Sequence, residues 1–255
     1  MHPWENSLDG PTTPASLLKI FRQGLRCARS GRNPMPVGRP FVTVTYAQSV
    51  DGSIAGNNRE PLRLSGEESM CLTHHLRAVH DAILVGIGTV MADNPRLNVR
   101  RVPGQDPQPV VLDTHFRTPE TSRLLQHASH RLWIMGGDPS ASVRADRLSD
   151  AGAVATLVNP STEDRVHLPS VLRLLADRGI GSLMVEGGAR VITSFVKARA
   201  VDQFIITVAP RMVGGLPVFE RGAFSAPVLA GFSNVIYRQL GPDLILWATP
   251  AWEAT

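Results

Sequence analysis

The stretch Leu183-Met184-Val185-Glu186-Gly187-Gly188-Ala189-Arg190-Val191-Ile192-Thr193-Ser194-Phe195 most limits the folds open to this chain. Its short apolar run reads as a buried strand. Two glycines let the backbone turn sharply and come close to a ligand. The residues after them read as a helix. A helix N-terminus carries unsatisfied N–H groups and a positive dipole end, which together favour an anion such as a phosphate. Glu186 then stands at the carboxyl end of the strand, beside whatever the phosphate carries. The turn is not G-x-G-x-x-G, so that dinucleotide fingerprint is absent. A plain strand–turn–helix reads much the same, so the rest of the chain has to decide.

The pattern around this stretch repeats its logic. Phe41–Tyr46 is β-rich and strand-like, and Asp51-Gly52 is a turn. Glu67 to His80 carries helix formers, with Ser65 as a candidate N-cap. Asp81–Val85, Val110–Asp113 and Arg131–Met135 read as strands. Leu168–Arg178 reads as a helix stopped by Gly179, Leu183–Val185 as a strand and Ala189–Arg199 as a helix. Asp202–Val208 and Leu244–Trp247 are the last strands. Strands alternating with helices predict an α/β domain with a mostly parallel central sheet flanked by helices. The C-terminal strands lack an intervening helix, which predicts an antiparallel edge. Ligands of such sheets sit beyond the carboxyl ends of the strands, where all the singled-out turns lie.

Residues 1–38 read as an N-terminal extension: one amphipathic helix begun after Pro14, with Leu17, Leu18, Ile20, Phe21 and Leu25, and then a Gly/Pro-rich linker. Residues 39–255 form the body. No apolar run approaches the ~20 residues that span a bilayer, and the N-terminus lacks the apolar core of a secretory signal. Cys27 and Cys71 form no metal or disulfide pattern, as expected of reduced thiols in a cytoplasmic protein. The net charge of +4 invites nucleic acid, but the arginines are scattered and aromatics make up 5 % of the chain, too few for a stacking platform. Anionic small molecules account for the basic balance better.

Gly86-Ile87-Gly88-Thr89 follows a strand and reads either as a second phosphate cradle or as a glycine turn capped by Thr89. Arg77 and Arg100 present planar forks that match phosphate oxygens, or they are solvated surface arginines. Asp93-Asn94-Pro95 reads at least as a turn. Glu186 is a helix-start carboxylate, a substrate-binding group or a proton relay. His74, His75 and His80 lie on one predicted helix. Neighbouring helical residues diverge by about 100°, so these are surface or half-buried histidines and no metal is expected.

In this order, A-Q-S-x-D-G-x-I-A (Ala47–Ala55), L-R-A (Leu76–Ala78), G-x-G-T-V-x-A-D-N-P-x-L-x-x-R (Gly86–Arg100) and V-E-G-G-A-R (Val185–Arg190) resemble the pyrimidine reductases of riboflavin biosynthesis. The resemblance runs from about Arg39 to Gly215. It implies a dihydrofolate-reductase-like fold, a homodimer and NADPH-dependent reduction of a ribosylaminopyrimidine 5′-phosphate to its ribitylamino form. It implies cofactor contacts from Ala47, Arg63, Gly86, Thr89, Asp93, Gly187, Gly188, Ala189, Arg190, Val191 and Ile192. It implies substrate contacts from Pro61, Arg77, Leu97, Arg100 and Glu186, with the two arginines on the phosphate and Glu186 as a candidate catalytic group. For the dimer, apolar residues in Phe204–Val208 and Val228–Ile236 are the candidate edges.

Two features refine this reading. The zinc-deaminase signatures H-x-E and P-C-x-x-C do not occur, so the chain resembles the stand-alone reductases without a deaminase domain. Thr45 stands where many fused bacterial enzymes have a lysine, so no ammonium is available there as a proton source. The T-Y-A-Q-S wording resembles the fungal type, which acts on the diaminopyrimidinone before deamination; the bacterial type acts on the aminouracil. The rivals are a dihydrofolate-reductase-like enzyme for another pterin or heterocycle, and a non-catalytic nucleotide-binding protein on the same fold.

Overall fold

A computed structural model describes residues 13–19, 37–57, 62–159, 165–224 and 229–252. Residues 14–19 form helix α1. Strand β1 (Phe41–Ser49) and the short β2 (Ser53–Ala55) lead to helix α2 (Glu67–Arg77), β3 (Ala82–Gly86) and α3 (Ile87–Asp93). Then come β4 (Gln108–Leu112), β5 (Trp133–Gly136), α4 (Ser142–Asp150) and β6 (Val154–Leu157). The chain continues through α5 (Leu168–Asp177), β7 (Ser182–Val185), α6 (Ala189–Lys197), β8 (Gln203–Ala209) and β9 (Leu216–Pro217). It closes with β10 (Leu229–Leu240) and β11 (Asp243–Trp252).

Nine strands build one sheet in the order β10-β11-β8-β1-β7-β3-β4-β5-β6, and β2 pairs with β9 separately. From β8 to β6 every pairing is parallel; β11 runs antiparallel to both β8 and β10. This is the predicted α/β sheet with its antiparallel edge. Parallel strands covered on both faces read as continuous apolar runs, and β3 is buried throughout. Its side chains still alternate. Ala82 and Leu84 join the α5/α6 layer, whereas Ile83 and Val85 join Val90 and Leu148 of α3 and α4. In α5, Leu168, Val171, Leu172 and Leu175 supply the buried stripe, and Gly179, with φ of +84°, turns the chain out of the helix.

The chain runs outward from β3 to β6 and then returns, inserting β7 between β1 and β3. Open α/β sheets usually take ligands beyond the carboxyl ends of the strands at such a reversal, here β7 and β3.

Several sequence expectations change. Ser65 does not cap α2. The N-cap is Gly66, whose N–H donates to Asp243 Oδ2 at 2.8 Å from the far end of the chain. His74 and His80 are buried rather than half-exposed; His80 bridges Leu76 O and Thr43 Oγ1. Strand β8 lies between β1 and β11, so Phe204–Val208 cannot be an open edge; the sheet's edges are β10 and β6. Helix α4 escapes the periodicity reading because Leu148 is its one buried residue. Leu17 and Leu18 pack with Leu72, Leu76 and Met184, so the segment ahead of residue 39 contributes to the same core. Residues 20–36, with Cys27 and most of the predicted linker, lie outside the described residues.

Candidate active site

Helix α2 ends at Arg77, and β7 delivers Glu186 immediately after its last residue. The two meet across 109 residues of sequence. Arg77 Nε donates to Glu186 Oε1 at 2.8 Å and Nη2 donates to Oε2 at 2.6 Å. The third nitrogen, Nη1, donates to the Asn98 carbonyl at 3.1 Å. The Arg77 side chain is 9 % exposed and that of Glu186 18 %. Burial pulls against the Arg77 charge, but the Glu186 carboxylate outweighs it and holds Arg77 above the usual arginine range.

Arg100 is exposed. Its Nη1 donates to Asn98 Oδ1 at 3.1 Å, and its backbone N–H donates to His74 Nδ1 at 3.2 Å. That bond makes Nδ1 an acceptor, so His74 is neutral with its proton on Nε2. Burial, followed by the charges of Arg77 and Arg100, pushes the His74 pKa down to about 4. Partial burial and the positive charges of Arg77, Arg101 and Arg96 lower the Arg100 pKa. Arg100 thus stands in a net positive field, which suits an incoming anion. Leu97 has φ of +54°, a left-handed backbone that carries the chain round to Asn98. The Leu97 side chain is buried with Val85, Val90 and Val111, so only its backbone is available to a substrate. Pro61 lies outside the described residues.

The glycine turns divide by what each glycine permits. A β-carbon on Gly86 would sit 2.7 Å from Val191 Cγ2, and one on Gly187 would sit 2.5 Å from Val191 Cβ. Both glycines therefore admit Val191, which locks the start of α6 against the end of β3. Gly188 differs. It is the N-cap of α6 with φ of −75°, and a β-carbon there would meet nothing closer than Thr89 Oγ1 at 3.8 Å. A β-carbon on Gly88 would meet nothing within 4 Å. Neither the backbone conformation nor protein packing calls for glycine at 88 or 188. Open space thus lies beside Gly88 and Gly188 at the starts of α3 and α6.

At α6 the amides of the first turn, Ala189, Arg190 and Val191, have no intrahelical acceptor. The Ile192 N–H donates to Gly188 O at 3.1 Å and its side chain lies in the core, so Ile192 is left with neither group to offer a cofactor. Arg190 is exposed and pairs with Glu220 at 3.3 Å. Arg63 is exposed and pairs with Glu67, four residues on, and Asp93 is an exposed residue at the end of α3.

Ala47 lies near the carboxyl end of β1. Strand β7 pairs with β1 only as far as Val44, so residues 45–49 overhang β7 and present their backbone edge beside Glu186. The loop after β1 is tied down by Asp51. Its carboxylate accepts from Ser49 Oγ, Ser53 Oγ and the amides of Val213 and Gly214. The S-x-D-G-S spacing is thus a clamp between this loop and the segment after β8. Among the described residues, no cluster of His, Cys, Asp and Glu has the arrangement of a metal site, and no helix is long and apolar enough to cross a membrane.

A family model described as the RibD C-terminal domain matches residues 40–246, nearly the whole body. This chain belongs to the RibD C-terminal domain family. It is similar to the riboflavin biosynthesis protein RibD of Bacillus amyloliquefaciens, 37 % identical over 223 residues, covering 85 % of this chain and 59 % of that protein. It is 38 % identical over 187 residues to the 2,5-diamino-6-ribosylamino-4(3H)-pyrimidinone 5′-phosphate reductase of Archaeoglobus fulgidus, covering 69 % and 83 % of the two chains. The solved riboflavin biosynthesis reductase Rib7 of Saccharomyces cerevisiae superposes with a TM-score of 0.71 at 26 % identity, covering 91 % of this chain and 99 % of that one.

Within this RibD C-terminal domain, the tertiary structure adds two residues that sequence reasoning missed. Asn98 accepts from both arginines, one at its backbone and one at its side chain. His74 holds the Arg100 backbone. Nothing in the local pattern of either residue distinguishes it from an ordinary loop or helix position.

Proposed function

We propose that this chain reduces the ribose of a ribosylaminopyrimidine 5′-phosphate to a ribityl chain, with NADPH as reductant, in riboflavin biosynthesis. One observation carries the reading: the open Gly188–Thr89 space and the Glu186 carboxylate lie at the two ends of the same short turn. A dinucleotide phosphate held there would lie two residues from Glu186, which Arg77 links to Asn98 and Arg100. The names of the reductases similar to this chain support the same substrate class.

The first-turn amides of α6 would receive the pyrophosphate, and Thr89 would add a hydroxyl. A bound nicotinamide supplies the hydride. The C1′–O4′ bond of the ribosylamine would break as the ring oxygen takes a proton from water, leaving an iminium whose C1′ would accept that hydride. The nitrogen keeps its own hydrogen, so the one proton consumed goes to the ring oxygen and water can supply it; Thr45, buried beside the site, offers no ammonium for that step. Glu186 orients the substrate by accepting hydrogen bonds from its N–H or O–H groups. The Phe232, Val235 and Tyr237 side chains are exposed on edge strand β10, which supports a homodimer joined there. A cytoplasmic location fits this chemistry.

The test is NADPH oxidation with the diaminopyrimidinone and aminouracil nucleotides in separate assays. We expect one of them to be consumed, with a product heavier by two hydrogens, and NADH to be the poorer reductant. Oxidation with neither, but with a pterin, would replace this reading with that of another reductase. NADPH binding without turnover on any of them would point to a nucleotide-binding protein. Sedimentation showing only a 27.6 kDa species at micromolar concentration would refute the dimer.

A further inference from the structure

Residues 94–107 join α3 to β4 and carry Asn98 and Arg100. Two successive amides of this segment are held by side chains from different places. The Arg100 N–H donates to His74 on α2, and the Val99 N–H donates to Asp106 Oδ1 at 2.7 Å, near the far end of the same segment. Asp106 is in turn backed by the connection between β4 and β5. Its Oδ2 accepts the Ser129 hydroxyl at 2.8 Å, and its backbone carbonyl accepts His130 Nε2–H at 2.9 Å. His127 Nδ1 accepts the Ser129 and His130 amides, which leaves its proton on Nε2, 3.9 Å from Asp106 Oδ2. The same connection reaches the start of the segment. There the Arg123 N–H donates to Asn94 Oδ1 at 2.9 Å, and Leu124 shares a core cluster with Leu97.

We propose that Asp106 is a positioning residue for the reaction: through its hydrogen bond to Val99 it fixes residues 98–100 against Arg77, with Ser129 and His130 as its support. This role rests on the proposed reaction, in which Arg77 and Arg100 meet the substrate. Val99 lies between the Asn98 carbonyl that receives Arg77 and the Arg100 guanidinium, so a shift of its peptide moves both. A carboxylate that accepts a backbone N–H makes a charge-assisted bond, shorter and stronger than a neutral one. Such a bond suits a stretch of backbone that no strand or helix holds. The Asp106 charge has a second effect. Burial works against the Arg77 charge, and Glu186 and then Asp106 counter it. Hydrogen bond and charge are therefore two separable ways for Asp106 to act. The geometry favours the first, because Oδ1 is committed to Val99.

Three substitutions separate the two. Asp106→Asn keeps an acceptor for the Val99 N–H and can donate to the Ser129 hydroxyl, but lacks the charge. Asp106→Glu keeps the charge and displaces the acceptor by one methylene. Asp106→Ala removes both. Thermal melts identify the folded variants. With the nucleotide that the wild type consumes, Asp106→Ala should raise KM about tenfold, as a small misplacement of binding groups does, and leave kcat and NADPH affinity within about twofold. Asp106→Glu should raise KM severalfold, and Asp106→Asn by less than about twofold. The asparagine and glutamate variants decide the matter even if Asp106→Ala does not fold.

Two readouts need no turnover. In hydrogen exchange the Val99 amide should lose protection in Asp106→Glu and keep it in Asp106→Asn, with the β4 amides unchanged in both. Affinity for ribose 5-phosphate, titrated by calorimetry, should fall in the same order as KM rises. A loss in Asp106→Asn as large as that in Asp106→Glu would assign the effect to charge and overturn the proposal. So would kcat and NADPH affinity falling as far as KM rises, or a deprotected Val99 with KM unchanged. Wild-type protein inert toward both nucleotides would instead defeat the proposed reaction, and Val99 exchange together with ribose 5-phosphate affinity would still decide the role of Asp106.

Discussion

Val191 fills the space that a side chain on Gly187 would need: a β-carbon there would lie 2.5 Å from Val191 Cβ, whereas one on the adjacent Gly188 would meet only Thr89 Oγ1, at 3.8 Å. The two glycines therefore serve different ends. Gly187→Ala should destabilise by about 1–3 kcal/mol through overpacking, a fall in Tm of roughly 2–12 °C. Gly188→Val should leave Tm within a few degrees and sharply weaken NADPH binding. Thermal melts and fluorescence titration of NADPH read the two effects separately. Equal cofactor affinity in wild type and folded Gly188→Val would remove the turn from the cofactor site.

The start of α2 depends on a residue in the last strand. Asp243 is buried and accepts the Gly66 N–H, as a capping side chain would, but from 177 residues away. Losing a cap costs about 0.5–2 kcal/mol, so Asp243→Ala should lower Tm by several degrees. Asp243→Asn keeps an acceptor oxygen and should lose less. Because His74 and Arg77 sit at the other end of this helix, hydrogen exchange across Glu67–Arg77 should rise in the alanine variant. Unaltered exchange there would show that α2 is held by its apolar stripe alone.

His74 gives the protein a specific acid sensitivity. The unfolded chain takes up a proton at histidine near pH 6.5, whereas burial and the neighbouring arginines hold the folded His74 neutral down to about 4. Between these values the unfolded state binds more protons, so this contribution is full above about 6.5 and falls as the pH drops through that window. His74→Asn keeps an acceptor for the Arg100 amide without the titration. Its urea-unfolding free energy should vary less steeply with pH over the same window. A wild-type slope that the variant reproduces would assign the acid sensitivity elsewhere.

The Asp51 clamp joins two loops that flank the end of β1. Hydrogen bonds from Ser49, then from the Val213 and Gly214 amides, hold its carboxyl well below the usual carboxylate range. Asp51→Ala should deprotect the Val213 and Gly214 amides in hydrogen exchange while leaving the sheet amides of β8 protected. It should also raise KM through a looser β1 end. Protection of the two amides unchanged by the substitution would mean that neighbouring packing, rather than the carboxylate, orders the loop.

The residues themselves determined a good deal. The apolar run before Glu186, the Gly-Gly turn and the apolar pattern beyond it identify β7, the turn and α6, because strand, turn and helix preferences act between near neighbours. Gly179 likewise marks the end of α5 through a backbone conformation that few residues other than glycine adopt. The alternation of strands and helices was enough for the parallel sheet and its antiparallel edge. Elements with thin apolar signatures escaped, as α4 shows with its single buried leucine.

Only the tertiary structure decided how the charged and polar groups are shared out. Arg77 belongs to Glu186, Asn98 joins the two arginines, and Asp243 caps a helix that Ser65 was positioned to cap. These pairings depend on distances between elements brought together by the order of the sheet, and sequence separation carries no record of them. A strand or helix is favoured by residues a few positions apart. A buried charge takes whichever partner the packing delivers, because leaving it unpaired costs several kcal/mol, on the order of the stability of a domain.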